Sequence, residues 1–539
     1  MVRRLDVLGS ARAAAFCAAL AAALAGGCGS DSPTATTATG DARGTLIEDP
    51  PLRIASLDAA AFSAQLGASS TGQQLLTLAG TPACGVDFYY FEYWTVGAQS
   101  EPATASGALM VPTGAAAQCS GARPIVLYAH GTTPDKTYNI ADITNPENSE
   151  GALIAAVFAA QGYIVVAPNY AGYDISSLPY HPFLNADQQS KDMIDALAAA
   201  RAALPHSFTP QTTDGGQLFV TGYSEGGYVA MATVRALNTC PSGVPCPAHP
   251  SPVTASAPMS GPYALEAFGD AVFFGNVNIG STVFAPLIST SYQHAYGNVY
   301  HYTTDLYEPQ YATNIGSLLP STTPITTLFQ EGKLPQTALF SSTTPVVPGN
   351  PALTQALAIP VGNPIGALGF GPNNLITNDY RVSYTIDAAV NPDGAAQAPQ
   401  LAMQPPQVPP PSSVQLAANP ENTLRADLKL NDMRNGPFWA PSSPMLLCGG
   451  DEDPTVFFGL NTFTMAAYWT GLPAGLVTVL DVNAPPGPGD PFAAVKLGFQ
   501  QALQSQIASG GLQSAIASYH GTVAPFCAVA ARGFFQSQL

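Results

Sequence analysis

The sequence predicts an α/β fold, a mostly parallel central sheet flanked by helices and interrupted by one large inserted segment. Three observations carry this. Short apolar runs such as Ile125-Val126-Leu127-Tyr128-Ala129 and Tyr163-Ile164-Val165-Val166-Ala167 lack the polar alternation of a half-exposed strand, so they fit strands covered on both faces. Helix-compatible stretches lie between such runs, the clearest from Ala186 to Ala203, and this alternation is the pattern of parallel strands joined by crossover helices. It stops after Ser260-Gly261-Pro262 and resumes at Pro444, leaving roughly 180 residues that are too many for a loop inside a compact domain.

In chain order, residues 1–27 carry Arg3, Arg4 and Arg12, an apolar run from Ala13 to Leu24, and then Ala25-Gly26-Gly27-Cys28. A run of about a dozen residues followed by small ones reads as an export signal, being too short to span a bilayer. The residues before Cys28 resemble a bacterial lipobox, which makes Cys28 a lipidation site and the chain a cell-envelope lipoprotein; plain cleavage nearby would make it secreted or periplasmic. Residues 28–51, rich in Ser, Thr, Ala and Gly, read as a flexible tether.

The folded part is expected from Leu52, with a first core portion over 52–261. Its strands are Phe88 to Trp94, Gly107 to Val111, the two runs above, Gln217 to Thr221 and Val253 to Ala257. Residues 262–440, with the proline run Gln404 to Pro411, form the inserted cap. Residues 441–539 complete the core with strands at Pro444 to Gly450 and Gly475 to Asp481 and a helix from Phe492 to Ala508.

Composition narrows the function. The chain of 539 residues has a net charge of −18 and only 10% charged residues, with no Lys/Arg cluster to meet phosphates, which argues against nucleic acid as a partner. Apart from Cys17 and Cys28, the cysteines are Cys84, Cys119, Cys240, Cys246, Cys448 and Cys527. An even set in an exported chain suggests disulfides, with fifteen pairings open. Nearness in sequence favours Cys240 with Cys246 and Cys84 with Cys119, leaving Cys448 for Cys527. No C-x-x-C spacing or histidine cluster suggests a metal.

Gly222-Tyr223-Ser224-Glu225-Gly226 follows an apolar run and precedes a helix-like segment. Small residues two places either side of a serine allow a sharp strand-to-helix turn that exposes the hydroxyl. A serine needs a base, and the base needs an orienting acid. His520, in Ser518-Tyr519-His520-Gly521, is expected in a loop between the last two helical stretches, where the chain order nucleophile, acid, base puts it. Asp453 follows a buried strand directly and is the preferred acid, with Asp451 and Glu452 as competitors in the same turn. The oxyanion donors are the N–H groups of Glu225 and Thr132, with Gly131 as substitute. His130 braces that loop.

Taken together, Tyr128-x-His130-Gly131-Thr132, Val166-Ala167-Pro168-Asn169-Tyr170-x-Gly172, the serine pentapeptide with Gly227, Gly450-x-x-Asp453 and Tyr519-His520-Gly521 resemble the α/β-hydrolase fold. More narrowly the chain resembles the secretory lipase family of the Candida antarctica lipase A type, over residues 84–261 and 443–535. The resemblance implies carboxylic ester hydrolysis without a cofactor, on small-molecule or lipid esters, with a cap inserted where the alternation fails. Asn169 stands where many relatives have Asp, and Glu225 where Gly is frequent. Tyr292, Tyr296, Tyr300 and Tyr302 are candidates to line the acyl pocket. The alternatives are a serine peptidase of prolyl oligopeptidase type and a catalytically silent surface-binding lipoprotein. Acyl length, alcohol and oligomeric state are not legible.

Overall fold

The structure, a computed structural model, describes residues 43–145, 149–207, 209, 211–239, 252–396 and 413–539. The export signal, Cys28, the Cys240 and Cys246 pair and the proline run lie outside the described residues. The sheet contains β1 (Leu52–Leu57), β2 (Gly85–Val96), β3 (Pro102–Thr113), β4 (Gly121–Ala129), β5 (Ile164–Pro168), β6 (Thr212–Tyr223) and β7 (Val253–Met259). Phe340–Ser341 (β8) and Phe370–Gly371 (β9) pair apart from it, and β10 (Met445–Gly449) and β11 (Val477–Asp481) complete it in the order β1-β2-β3-β5-β4-β6-β7-β10-β11. From β5 to β11 every pairing is parallel.

The antiparallel end has a local cause. The backbone reverses at Gly97, whose N–H donates to the Glu101 carbonyl, and this tight return sets β3 against β2 in antiparallel register. Along β4, Ile125, Leu127 and Ala129 face one buried cluster while Val126 and Tyr128 face the other, so its continuous apolar run is explained by cover on both faces. One face is covered by α1 (Ala59–Gly67), α2 (Ser70–Ala79), α3 (Ser149–Val157) and the C-terminal helix Ala493–Gln536; the other by α4 (Ala186–Ala203) and α5 (Glu225–Asn238).

Two boundaries differ from expectation. Ordered pairing begins before Leu52: the Gly44 N–H donates to the Trp94 carbonyl, Leu46 bridges Tyr93, and Arg43 grips both oxygens of Asp195 at 2.9 and 3.0 Å. The end of the supposed tether is therefore part of the fold, because a buried carboxylate on α4 needs a counter-charge and Arg43 supplies it. His520 also lies inside a helix. The C-terminal element is two helical stretches meeting at Gly511, which has φ 78° and ψ 170°, a conformation open to glycine, and His520 sits on the second of them.

From Ser260 to Pro444 the described residues add no strand to the main sheet. This segment opens with α6 (Leu265–Phe273) and α7 (Ser281–Tyr296). One side of α6 is fixed by charge: Arg425 donates to both oxygens of Asp270 at 2.7 and 2.8 Å, and Glu266 accepts the Ala417 N–H. Arg434 likewise forks onto Asp393 and Asp432. Paired guanidinium forks are geometrically demanding, so they fix the helix in one position.

The Arg43 contact yields a test. A chain starting at Asp41 should match the longer protein in urea unfolding, whereas one starting at Leu52 should lose about 1–3 kcal/mol, the usual worth of a charge-assisted hydrogen-bonded pair.

Candidate active site

The site is built where β6 ends. Ser224 has φ 60° and ψ −122°, a strained conformation for a residue with a side chain, and it persists because its surroundings allow nothing else. Its N–H donates to the Met259 carbonyl at 2.9 Å. A Cβ on Gly226 would lie 1.9 Å from the Ala129 carbonyl oxygen, and one on Gly222 would lie 2.3 Å from the Gly226 oxygen. The two glycines are thus required by contact between backbones, and the turn pushes the serine side chain out of the sheet edge.

His520 Nε2 is 2.8 Å from Ser224 Oγ, and His520 Nδ1 is 2.6 Å from Asp453 Oδ2. Asp453 is fully buried, and its second oxygen accepts the Thr455 and Val456 N–H groups at 2.9 and 3.1 Å, so its carboxylate is fixed at both ends. The competitors turn elsewhere: Asp451 accepts from the Asn483 amide at 2.7 Å, and the Glu452 N–H points at the Tyr519 hydroxyl.

Two contacts hold the histidine helix against the serine turn. Tyr223, inside the pentapeptide, donates its hydroxyl to the His520 carbonyl and lies 3.3 Å from His520 Nδ1. The Cys448–Cys527 disulfide joins β10, just ahead of Asp453, to the same helix seven residues beyond His520. Cys84–Cys119 is the other disulfide among the described residues. Both pairings are those expected.

The loop after β4 faces the serine. His130 is fully buried, its ring nitrogens lying 2.7 Å from the Gly131 carbonyl and 3.1 Å from the Asn169 carbonyl, and it stacks on Tyr170. Asn169, the departure from the family pattern, caps the Ile140 N–H at 2.7 Å. Among the described residues the Thr132 and Glu225 N–H groups have no acceptor. Gly131 does not serve as a substitute donor, because its N–H is spent on the Glu150 carboxyl at 3.0 and 3.2 Å.

Sequence reasoning missed three participants. Glu150 is one, and Tyr223 another. The third is His181, 2.7 Å from Glu225 Oε1, with Gln189 donating to the same oxygen at 2.7 Å; this buried cluster explains a Glu directly after Ser224. None of the four tyrosines expected at the acyl pocket lines the inner cavity: Tyr292 donates to the Leu184 carbonyl, Tyr296 meets Asn431, Tyr300 packs edge-on to Tyr307, and Tyr302 is exposed.

Two cavities meet at Ser224 and Thr132. The inner one, about 110 Å³, is apolar and walled by Phe268, Val272, Phe273, Phe284, Ile288 and Leu428 among others. The outer one, about 960 Å³, has a mixed lining from α2 and the C-terminal helix, with hydroxyl and amide side chains such as Gln74, Gln506 and Thr522 beside apolar ones such as Leu75, Leu78 and Phe526, and Glu150 and His520 also border it. Among the described residues no cluster of His, Cys, Asp and Glu is arranged for a metal ion, and no helix is long and apolar enough to cross a membrane.

A parallel sheet with a strained serine at the end of a central strand can be compared with known proteins. The prolyl oligopeptidase family profile matches residues 151–239, a stretch that holds Ser224 but neither Asp453 nor His520. The solved structure of the rice cell wall degrading esterase LipA from Xanthomonas oryzae is similar over 92% of this chain and 100% of that one, with TM-score 0.62 and 25% identity. The chain has the α/β-hydrolase fold. Candida antarctica lipase A aligns over 82% of this chain and 76% of its own, at TM-score 0.40 and 12% identity. No curated protein sequence matches the chain.

The disulfide across the site gives a measurable expectation. It closes a loop of 79 residues, worth about 4.5 kcal/mol in the chain-entropy account. Cys448→Ala with Cys527→Ala should lower unfolding free energy by about 2–5 kcal/mol in urea titration.

Proposed function

We propose that the protein is an exported serine esterase that cleaves carboxylic esters through an acyl-enzyme. The observation that supports this most is the unbroken hydrogen-bond chain Ser224–His520–Asp453, with two unoccupied backbone N–H groups beside it. The Ser224 hydroxyl attacks the ester carbonyl as His520 Nε2 takes its proton. Asp453 accepts from Nδ1, fixing the tautomer and favouring the imidazolium as it forms. The Thr132 and Glu225 N–H groups receive the oxyanion. His520 then protonates the departing alcohol, and afterwards deprotonates the water that frees the acid. None of these steps requires a cofactor.

The two cavities suggest how the substrate divides. The acyl chain takes the inner, apolar one and the alcohol the outer one, whose lining mixes polar and apolar side chains, so the substrate is a small-molecule or lipid ester. Residues 262–440 act as the cap that supplies the acyl wall. An engineered apolar cavity of about 150 Å³ accepts benzene, and on that scale the inner cavity suits an acyl chain of about four to six carbons. The disulfides and leader fit an exported protein, and lipidation at Cys28 would hold it at a membrane.

The prolyl oligopeptidase match favours a second reading, a serine peptidase. Against it, the described residues ahead of β4 are two helices and three sheet strands rather than a propeller, and the Glu225 carboxylate already serves His181 and Gln189. A silent binding lipoprotein would have no need of the aligned serine and histidine.

Hydrolysis of p-nitrophenyl esters from acetate to palmitate, beside peptide p-nitroanilides, separates these readings. The expected optimum is at butyrate to hexanoate, with kcat/KM in Ser224→Ala lower by about 10⁴–10⁶. Ala285→Phe, in the inner wall, should cut hexanoate cleavage at least about tenfold while sparing acetate. Cleavage of the anilides alone would favour the peptidase, and cleavage of neither the binding module.

A further inference from the structure

A carboxyl group stands beside the place where the proposed reaction would create negative charge. Glu150, second residue of α3, shares the outer cleft with Ser224, Thr132 and His520. A point one Cβ bond out from Gly131 lies 3.5 Å from Glu150 Oε2 and 3.7 Å from Ser224 Cβ. An acid in the first turn of a helix ordinarily faces solvent or its own helix N–H groups. Here it accepts the Gly131 N–H, nineteen residues away, through both oxygens, and the Tyr128 hydroxyl at 2.7 Å through Oε1.

The consequence lies in the peptide planes. The plane joining His130 to Gly131 is held at both ends, its carbonyl by the Tyr170 hydroxyl at 2.9 Å and its N–H by Glu150. The next plane carries the Thr132 N–H, and its carbonyl is held by His130 Nδ1. Because a trans peptide sets its N–H opposite its carbonyl, pinning these two planes fixes the direction of the Thr132 N–H. Glu150 is the contact from outside the loop that holds the first plane's N–H.

We propose that Glu150 is a positioning residue that aims the Thr132 N–H at the oxyanion, and that it acts as the neutral carboxylic acid. Oε1 accepts from Tyr128 and Gly131, leaving Oε2, which has the longer contact at 3.2 Å, to carry the proton. Ionised, the same group would place a full negative charge against the forming oxyanion in a site of reduced dielectric. The proposal rests on the esterase reading.

The surroundings make both states accessible near neutrality. Burial pushes the Glu150 carboxyl up to about 7; the Tyr128 and Gly131 hydrogen bonds pull against that rise, Glu225 adds to it and His520 opposes it. The titratable groups facing Glu150 are Tyr128 on β4, Tyr138 in the following loop, Tyr170 after β5, Tyr223 on β6, Glu225 on α5 and His520 on the C-terminal helix. Each of these four tyrosines is itself held well above its ordinary value by burial, so none ionises in the range considered. The sign follows directly: Glu150 is neutral below about pH 7 and charged above it, so activity should decline on the alkaline side.

The test is the pH profile of kcat for p-nitrophenyl butyrate on the wild type, Glu150→Ala and Glu150→Gln, with thermal unfolding as control for folding. Wild-type kcat should fall about tenfold between pH 7 and 9. Glu150→Ala should lose kcat at every pH with little change in KM. Glu150→Gln, neutral and still an acceptor for the Gly131 N–H, should recover most of that loss and show no alkaline fall. An alkaline limb unchanged in Glu150→Gln, or a Glu150→Ala protein as fast as wild type, or a Gln variant no better than Ala, overturns the proposal while leaving the esterase intact. Absence of ester cleavage by the folded wild type overturns the esterase reading and this proposal with it.

Discussion

The backbone contact at the end of β6 is the constraint on which the site depends. With a Cβ on Gly226 only 1.9 Å from the Ala129 oxygen, α5 can start where it does only because that position has no side chain. This contact holds Ser224 in a backbone conformation that costs on the order of 1–3 kcal/mol, and the strain is borne by the packed sheet beneath. Relax the turn and the serine retreats, the Glu225 N–H swings away, and His520 has nothing to address.

Around that turn, three carboxyl groups, two buried and one half-buried, differ in their partners. Asp453 is satisfied by two backbone N–H groups and the His520 ring. Glu225 is tied to His181 and Gln189 behind the nucleophile. Glu150 meets a loop N–H and a tyrosine, with no basic side chain bonded to it. Environment, more than residue type, separates the role proposed for Asp453 from the packing of Glu225 and from the role proposed for Glu150. The segments that bring them together are secured covalently as well, since the Cys448–Cys527 bridge ties the strand before Asp453 to the helix of His520.

What was legible in the sequence was local. The apolar runs of β4, β5 and β6 are visible because strands covered on both faces need apolar residues at consecutive positions, and the serine turn is visible because close backbone approach demands glycine. Ser224, Asp453 and His520 are read from motif and chain order, and His520 does fall within hydrogen-bond distance of the other two. His520 lies on a helix rather than in a loop because a second helical stretch starts directly after the non-helical Gly511, ahead of the histidine. Arg43 reads as tether in the sequence, since its partner Asp195 lies 152 residues away and no local pattern announces such a pair. Glu150 resembled an ordinary helix-start acid, and the tyrosines after Ser291 an aromatic pocket; only the tertiary contacts of the hydroxyl and carboxyl groups distinguish these cases. Glu225 looked anomalous until His181 stood beside it.

The central claim is that Ser224 is an activated nucleophile. Treating the folded protein with a fluorophosphonate and mapping the adduct by peptide mass spectrometry tests it without assuming any substrate. The account predicts one stoichiometric adduct on the serine of Gly222-Tyr223-Ser224-Glu225-Gly226, lost when His520 is replaced by Ala. An adduct on another residue, or none on protein shown to be folded, would contradict it.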